Sequence, residues 1–162
     1  MINHPIEPFF DENSNMLILG SFPSVKSREQ KFFYGHAQNR FWKVISAIFR
    51  CDCPATVEEK KHFLRKCRIA LWDVIASCEI TGSSDSSIKN ATANDLKAIL
   101  DHADIEKIFV NGRTAEKLYK AMIAPDIGRP AIYLPSTSPA NAAFSLEKLI
   151  YVWGRAFEKP CS

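Results

Sequence analysis

The chain has 162 residues, of which 46% are hydrophobic and 24% charged, and its formal net charge at pH 7 is +3. This length suits one globular core, so we expect a single domain over residues 1–162. With this small net charge, the chain is not one of the heavily basic proteins whose composition requires a polyanionic partner. The apolar runs are far shorter than the roughly 20 residues of a membrane span.

The chain contains five cysteines, an odd number, and does not open with a secretory leader. We therefore expect a protein of the reducing cell interior, cytoplasmic and not associated with a membrane. Cys51, Cys53, Cys67 and Cys78 are candidate thiolate ligands, but their spacing matches no paired CxxC pattern. Free or buried thiols are expected rather than a metal site.

The first strand is predicted close to the start of the chain. Residues 1–15 are polar and contain prolines, which predicts an irregular lead-in. Residues 16–19 (MLIL) form a continuous apolar run ended by Gly20, which is typical of a strand buried on both faces. The loop GSFPS, residues 20–24, follows this strand.

Residues 31–49 (KFFYGHAQNRFWKVISAIF) form the most unusual stretch of the chain. The first nine contain three aromatics, a glycine, a histidine and an asparagine. From Asn39, a residue type common at N-caps, apolar side chains recur at helical spacing, whereas Arg40 and Ser46 face away. The inward positions are Phe41, Trp42, Ile45, Ile48 and Phe49. We interpret the stretch as one wall of a ligand pocket that leads into a helix.

The next segments combine a helix, a strand and a long polar region. Thr56 and Glu59 form a capping box for a helix that ends at about residue 66. Residues 69–75 (IALWDVI) predict the second strand. Segment 77–95 is rich in Ser, Gly, Asn and Asp, and we interpret it as a long loop that is functional or mobile.

The last third of the chain continues the alternation of helices and strands. Asn94 and Ser145 are predicted to cap two of its helices. The other predicted elements are a strand at 105–110, a helix at 114–123, a connector at 125–130 and a strand at 131–134.

Four short apolar strands that alternate with helices predict an α/β fold, because parallel strands need crossover connections whose helices cover both faces. We expect a three-layer α/β/α sandwich with a four-stranded parallel sheet. Ligands bind beyond the carboxyl ends of strands in such sheets. The unusual segments follow strand ends: residues 20–24, Asp73 with segment 77–95, Asn111, and residues 135–141. Their convergence predicts a pocket.

The candidate pocket residues are aromatic, amide and hydroxyl groups, with His36 the main group able to titrate near neutral pH. They are Phe22, Phe33, Tyr34, Gln38, Asn39, Asn111, Asn141, Ser21, Ser136, Thr137 and Ser138. Aromatic faces and carboxamides suit a flat heterocycle such as a nucleobase, and loops rich in Ser, Pro and Gly bind phosphates. Taken singly, each residue also has a structural explanation: Asn39 as an N-cap, for example, or Asn111 with Gly112 as a turn.

No GxSxG, P-loop or GxGxxG motif is present, and no His and Glu have metal-ligand spacing. Three other motifs are recognisable: GSFPS, FYGHAQNRFWKV and LPSTSPANAAFSLEKL. They resemble those of the uracil-DNA glycosylase superfamily, most of all its DNA-deoxyinosine (hypoxanthine-DNA) glycosylase branch, with the mismatch-specific uracil-DNA glycosylases next. The resemblance extends over nearly the whole chain.

The resemblance implies a uracil-DNA glycosylase-like fold and a monofunctional hydrolase acting on N-glycosyl bonds in base excision repair. Such an enzyme flips a deaminated base out of DNA, here hypoxanthine and also uracil or xanthine, and needs no metal and no cofactor. Catalysis then consists of holding a water and stabilising the departing base.

The resemblance also implies residue roles. Phe22 stands where mismatch-specific relatives carry a catalytic Asn, so the catalytic role falls on Asn39, assisted by Asn111. The base-binding residues are Phe22, Tyr34, Ser21 and Asp73, with Tyr34 as the stacking aromatic. The loop that enters the duplex, and so binds DNA, comprises Ser136, Thr137, Ser138, Pro139 and Ala140. Other members of the superfamily carry a His in this loop, and this chain has none.

Two other functions fit the same residues. The loop after the first strand lacks a catalytic Asn or Asp, and the loop 136–140 lacks a His. Both absences suit a module that binds damaged DNA without cutting it. The modest net charge suits a hydrolase of free nucleosides or nucleotides. For the glycosylase, the expected partner is DNA that contains deaminated bases, and the chain is expected to act as a monomer.

Overall fold

The computed structural model of the protein describes residues 1–158, so the last four residues of the expected domain lie outside the described part. The strands are β1 (Ile2–Asn3), β2 (Met16–Gly20), β3 (Ile69–Asp73), β4 (Ile75–Glu79), β5 (Lys89–Ala93), β6 (Lys107–Asn111) and β7 (Ile132–Leu134). The helices are α1 (Val25–Gln30), α2 (Phe41–Ile48), α3 (Val57–Lys66), α4 (Lys97–Leu100), α5 (Arg113–Met122), α6 (Ala124–Ile127) and α7 (Leu146–Glu158).

A four-stranded parallel sheet forms the centre of the fold, in the order β3-β2-β6-β7. Successive side chains of a strand point to opposite faces of its sheet. On β2, Ile18 packs with side chains of α2, α3 and α7, whereas Leu17 and Leu19 pack on the other face with α4 and α5. Helices therefore cover both faces, and the predicted three-layer α/β/α sandwich is confirmed.

A second sheet of three antiparallel strands, in the order β1-β4-β5, has no counterpart in the sequence prediction. The predicted irregular lead-in contains β1. The predicted loop 77–95 contains most of β4, a 3-10 turn at Asp85–Ser87, and β5. These predictions are wrong because the hairpin is polar and half exposed, with pairs such as Ser77 and Thr92, whose hydroxyls lie 2.6 Å apart.

The turn between β3 and β4 explains two further corrections. The predicted strand 69–75 divides at Val74. Asn94 is not an N-cap: its side-chain amide donates to the carbonyls of Asp73 and Ile75, at 2.9 and 3.2 Å, and so fastens this turn. The N-terminal end of α4 is instead stabilised by Asp95, whose Oδ1 accepts the Lys97 N–H.

Two short helices are also missing from the prediction. α1 begins directly after the loop 20–24, where the Ser24 hydroxyl accepts the Ser27 N–H. α6 overlaps the predicted connector 125–130 and begins one residue before it. Both are shorter than two full turns, too short to show the helical periodicity on which the prediction relied.

The predicted caps of α3 and α7 are confirmed. Thr56 Oγ1 accepts the Glu59 N–H at 3.1 Å, and the Glu59 carboxylate accepts the Thr56 N–H at 3.2 Å. Ser145 Oγ accepts the Lys148 N–H at 3.2 Å. Both helices pack on the α2 side of the sheet, where α7 inserts the fully buried Trp153.

Three properties bear on the class of protein. No helix within residues 1–158 is long and apolar enough to cross a bilayer. The described cysteines, Cys51, Cys53, Cys67 and Cys78, are free thiols. Residues 1–158 also contain no cluster of three or more His, Cys, Asp and Glu side chains arranged to hold a metal ion.

The capping box gives a stability prediction. Thr56→Ala removes the hydroxyl that accepts the Glu59 N–H, so we expect the free energy of unfolding to fall by about 1 kcal/mol in urea denaturation. Thr56→Ser keeps the acceptor and is the matched control, expected to lie within about 0.5 kcal/mol of wild type. Equal destabilisation by both variants would contradict a role for the hydroxyl.

Candidate active site

A cavity of about 640 Å³ opens beyond the carboxyl ends of the parallel strands. Gly20, Asp73 and Asn111, the last residues of β2, β3 and β6, form its floor, and the loop after β7 forms one wall. All eleven site residues predicted from the sequence line it: Ser21, Phe22, Tyr34, Asn39, Asp73, Asn111, Ser136, Thr137, Ser138, Pro139 and Ala140. Phe33, His36 and Asn141 also line it, and Gln38 does not.

Tyr34 occupies a strained position in this cavity. Its φ is 53°, in the left-handed region that bulky side chains rarely adopt. Its ring stacks on Phe41 with centroids 4.0 Å apart, which fixes the plane of the phenol. Burial and the charge of Asp73 raise the pKa of Tyr34 well above its usual range, so the phenol is neutral.

Asn111 and Thr137 form a reciprocal pair beneath Tyr34. The Asn111 Nδ2 donates to Thr137 Oγ1 at 3.1 Å and to Tyr34 Oη at 3.3 Å, and its Oδ1 accepts the Thr137 N–H at 3.2 Å. Thr137 is fully buried, which corrects its expected role as a DNA contact. Within the predicted loop, Pro139 and Ala140 form the exposed tip.

Asn39 lies directly before α2. The N-cap position of the helix is Arg40, one residue later than predicted, and the Arg40 side chain makes no capping hydrogen bond. The Asn39 Oδ1 accepts the Phe41 N–H at 2.9 Å, so the side chain still supports the helix end. Its Nδ2 has no hydrogen-bond partner among the described residues, and the side chain lines the cavity. Capping and chemistry are therefore compatible, because they use different atoms of the same amide.

Arg40 does not face away from the core, as the periodicity predicted. Its guanidinium donates to the carbonyls of Ser138, Asn141 and Phe144, and its backbone N–H donates to the Thr137 carbonyl. Four hydrogen bonds therefore join the start of α2 to the loop after β7. Ser46 also departs from the prediction, because it is buried.

Asp73 is paired with a residue that the sequence analysis did not single out. His4 Nε2 lies 2.7 Å from Asp73 Oδ2, and both side chains are about 95% buried, at 4% and 6% exposure. The His4 Nδ1 accepts the Ile6 N–H, so the ring proton sits on Nε2 and is donated to the carboxylate. The ring also packs edge-on against Phe22. The lead-in thus supplies a buried anchor for the carboxylate.

Asp85 is a second carboxylate that lines the cavity, contributed by the turn between β4 and β5. Its Oδ1 accepts a hydrogen bond from the Ser21 hydroxyl at 2.9 Å. In this structure the hydroxyl of Ser21, a predicted base-binding residue, is therefore bonded to Asp85. Burial raises the pKa of Asp85, the Ser21 hydrogen bond lowers it, and the charge of Asp73 raises it again, with a net rise.

Three residues of the site were not predicted: His4, Arg40 in its role as a clamp, and Asp85. Asp85 gave the clearest signal in the sequence, since it is the single acidic residue between Glu79 and Asp95, within a segment marked as functional or mobile. Nothing in the sequence indicated His4, because a lone histidine in a polar segment belongs to no helical or strand pattern.

Comparisons with known proteins agree with this geometry. The family model described as Uracil DNA glycosylase superfamily matches residues 7–154. The chain is 35% identical over 147 residues to a protein of Methanosarcina acetivorans named hypoxanthine DNA glycosylase, covering 90% of this chain and 92% of that protein. It is 31% identical over 157 residues to one of the same name from Methanosarcina barkeri, covering 94% and 96%.

The fold has a solved counterpart. The solution NMR structure of a provisionally named uracil DNA glycosylase from Methanosarcina acetivorans superimposes with a TM-score of 0.81 at 32% identity. The superposition covers 97% of each chain. The match to the family model begins at residue 7, so His4 lies outside the matched range.

The close approach at Gly20 gives a testable prediction. A Cβ on Gly20 would lie 2.4 Å from Asp73 Oδ1 and 3.2 Å from Tyr34 Oη, so Gly20→Ala must displace the carboxylate. We expect a loss of about 1–3 kcal/mol in the free energy of unfolding, measured by urea denaturation.

Gly154→Ala is the matched control, because the nearest atom to its added Cβ lies 3.9 Å away and the site is inside α7. Alanine there should leave stability unchanged or raise it by up to about 1 kcal/mol. If Gly20→Ala behaves like this control, the proximity of Gly20 and Asp73 has no energetic consequence.

Proposed function

Because the chain belongs to the uracil DNA glycosylase superfamily, we propose that it removes hypoxanthine from deoxyinosine in DNA, with Asn39 as the catalytic residue. It is a DNA glycosylase for deaminated bases, a hydrolase of N-glycosyl bonds, and DNA is its substrate. The names of the two relatives support hypoxanthine as the base, and they favour DNA over free nucleosides and catalysis over binding alone.

The observation that carries the preference for deaminated bases is the Asp73 carboxylate at the floor of the cavity. Deamination converts a ring nitrogen that accepts hydrogen bonds, N1 of adenine or N3 of cytosine, into an N–H donor beside a carbonyl. A carboxylate accepts from that N–H and repels the lone pair of an intact base. Asp73 therefore suits hypoxanthine, uracil and xanthine, and it selects against adenine and cytosine.

Stacking supplies the second part of base recognition. The Tyr34 ring is held in place by Phe41, and a flipped purine stacks on such a fixed aromatic face. Phe22 is nearly buried beside His4 and lines the same cavity, so it borders the base from another side. Asn111 orients the Tyr34 hydroxyl and Thr137, and we assign it to positioning these groups around the base.

Hydrolysis needs a water molecule near C1′ of the sugar. The glycosidic bond breaks through an oxocarbenium-like state, so the water requires orientation more than deprotonation by a strong base. The Asn39 amide is suited to this, because its Nδ2 has no partner among the described residues and its Oδ1 retains a second lone pair.

The DNA strand is proposed to approach over the loop after β7. Pro139 and Ala140 are exposed at its tip, while Arg40 holds its carbonyls from below. A small rigid tip of this kind fits the space that a flipped base leaves in the duplex. Ser136 and Ser138 lie beside it and offer hydroxyl groups to the phosphates.

We propose that the protein acts as a monomer, as one domain, on DNA inside the cell. The residues proposed to bind the base and the strand surround one cavity, so they are within reach of a single DNA substrate. Neither a partner subunit nor a membrane is required for the proposed contacts.

The base specificity is tested with duplexes that carry a single deoxyinosine or a single deoxyuridine opposite the same partner. We expect release of hypoxanthine to exceed release of uracil at least about tenfold in single-turnover rate, because the loop after β7 has no His to stabilise a uracil anion. Absence of base release from the deoxyinosine duplex would overturn the proposed function.

The role of Asn39 is tested by Asn39→Ala and Asn39→Asp on the deoxyinosine duplex. We expect the single-turnover rate to fall about 100-fold or more for both, because each lacks the amide donor. Asn39→Asp keeps the oxygen that accepts the Phe41 N–H, so its helix remains supported. Asn13→Ala, in an exposed turn, is the control and should retain the wild-type rate. Wild-type turnover by Asn39→Asp would remove Asn39 from the chemistry.

A further inference from the structure

Two carboxylates from different elements meet at the cavity. Asp73 ends β3 and is held by the His4 ring, whereas Asp85 comes from the turn between β4 and β5 and is held by the Ser21 hydroxyl. Both line the cavity, and each adds to the electrostatic environment of Tyr34. The proposed base site is therefore bordered by two acidic groups.

Positive charge near the base is scarce among the described residues. Arg113 lines the cavity mouth, but its side chain is 73% exposed, pairs with Glu116 and stacks on Tyr133. His36 is exposed as well. A base that left as an anion would face the buried Asp73 carboxylate and the Asp85 carboxylate, which belongs to an exposed residue but is held at the cavity by Ser21. No buried Lys or Arg among the described lining residues offsets them. A base that left neutral would avoid this repulsion.

We propose that Asp85 is a further catalytic residue, a general acid that donates its proton to the purine as the glycosidic bond breaks. This inference rests on the proposed removal of hypoxanthine. As the C1′–N9 bond breaks, its electron pair goes to N9, and the Asp85 proton goes to N7. Hypoxanthine leaves as a neutral molecule. Water forms the new bond to C1′ and releases a proton to solvent, and Asp85 is protonated again from solvent.

The surroundings of Asp85 shift the carboxyl toward its protonated form, although the residue as a whole is exposed at the cavity. Burial and the charge of Asp73 raise its pKa against the opposing hydrogen bonds from Ser21 and Thr114. Two further titratable groups face it, Tyr34 and Cys78, and burial raises the pKa of both, so they are neutral. The Arg28 guanidinium lies on the same side, over the Phe22 ring and bonded to the Gly82 carbonyl, but it does not line the cavity. Two carboxyl groups in different environments commonly take different roles, here Asp73 as acceptor and Asp85 as donor.

A proton donor at this position also separates purines from uracil. Hypoxanthine carries basic ring nitrogens apart from the one bonded to the sugar, and uracil offers carbonyl oxygens alone. Protonation of the leaving base therefore assists hypoxanthine more than uracil. Asp85 would then replace, for purines, the anion-stabilising His that other members of the superfamily carry in the loop after β7.

The proposal is tested with Asp85→Asn, which keeps an oxygen able to accept the Ser21 hydroxyl but cannot donate a carboxyl proton. Single-turnover release is measured from two duplexes, one with deoxyinosine and one with 7-deaza-2′-deoxyinosine, which lacks N7. On deoxyinosine we expect Asp85→Asn to lose at least about 30-fold in rate at acidic pH, where the wild-type carboxyl is protonated. On the 7-deaza duplex, wild type and Asp85→Asn should be equally slow.

The pH profile gives an independent readout. Because the acid must be protonated, kcat/KM of the wild type should fall as pH rises through the Asp85 pKa, and Asp85→Asn should lose this decrease. Asp52→Asn, at an exposed residue away from the cavity, is the control and should match wild type on both duplexes.

The outcomes separate the two proposals. If wild type releases no hypoxanthine, the proposed function fails and the role of Asp85 fails with it. If wild type is active and Asp85→Asn keeps its rate, or loses the same factor on both duplexes, the general acid alone is overturned.

Discussion

The Arg40 clamp is the interaction on which the rest of the site depends. Its guanidinium and backbone N–H bind four carbonyls of the loop after β7, so the start of α2 and this loop behave as one unit. The loop in turn places Thr137 against Asn111, and Asn111 against Tyr34. Tyr34 packs on Phe41, the first residue of α2, which follows Asn39 by two positions. A closed ring of contacts thus returns to the residue assigned to chemistry.

This ring is maintained at a cost in stability. The Arg40 Nε is buried without a hydrogen-bond partner among the described residues, and an unmade bond of this kind costs about 1–3 kcal/mol. Tyr34 adds backbone strain of about 1–3 kcal/mol. Strain of this kind persists where surrounding contacts over-determine it. Of the five described non-glycine residues with positive φ, Tyr34 is the one that lines the cavity, which connects its strain with the site.

The sequence predicted the parallel sheet and its covering helices better than it predicted the contacts among the side chains of the cavity. Buried parallel strands such as residues 16–19 are recognisable because both faces are covered, which leaves a continuous apolar run. Their carboxyl ends then locate the cavity without further information, and all eleven predicted site residues line it. The second sheet was not predictable in this way, because β4 and β5 are half exposed and their polar residues resemble a loop.

The contacts that set the chemistry of each side chain were also not predictable. His4 meets Asp73 across 69 residues of sequence, and Ser21 meets Asp85 across 64. Thr137 is a further example. Its motif predicted a DNA contact, but in the structure it is buried and hydrogen-bonded to Asn111. Local patterns identify residue types, and long-range packing decides their roles.

The replacement of an acid or amide by Phe22 in the loop after β2 changes how the work of catalysis is distributed. A phenyl ring cannot orient water, and its apolar surface excludes water from that side of the cavity. On the proposed function, polar groups act from elsewhere: the Asn39 amide from the start of α2, and two carboxylates from β3 and from the turn between β4 and β5.

Removing water from one side strengthens the remaining electrostatic interactions, including repulsion between Asp73, Asp85 and any anion formed between them. A pocket built in this way favours a leaving group that can be neutralised by a proton over one that must be held as an anion. Hypoxanthine, with a basic ring nitrogen, meets that condition and uracil does not. On the proposed mechanism, the absence of a His in the loop after β7 and the presence of Asp85 both suit the release of a neutral purine rather than the holding of a pyrimidine anion.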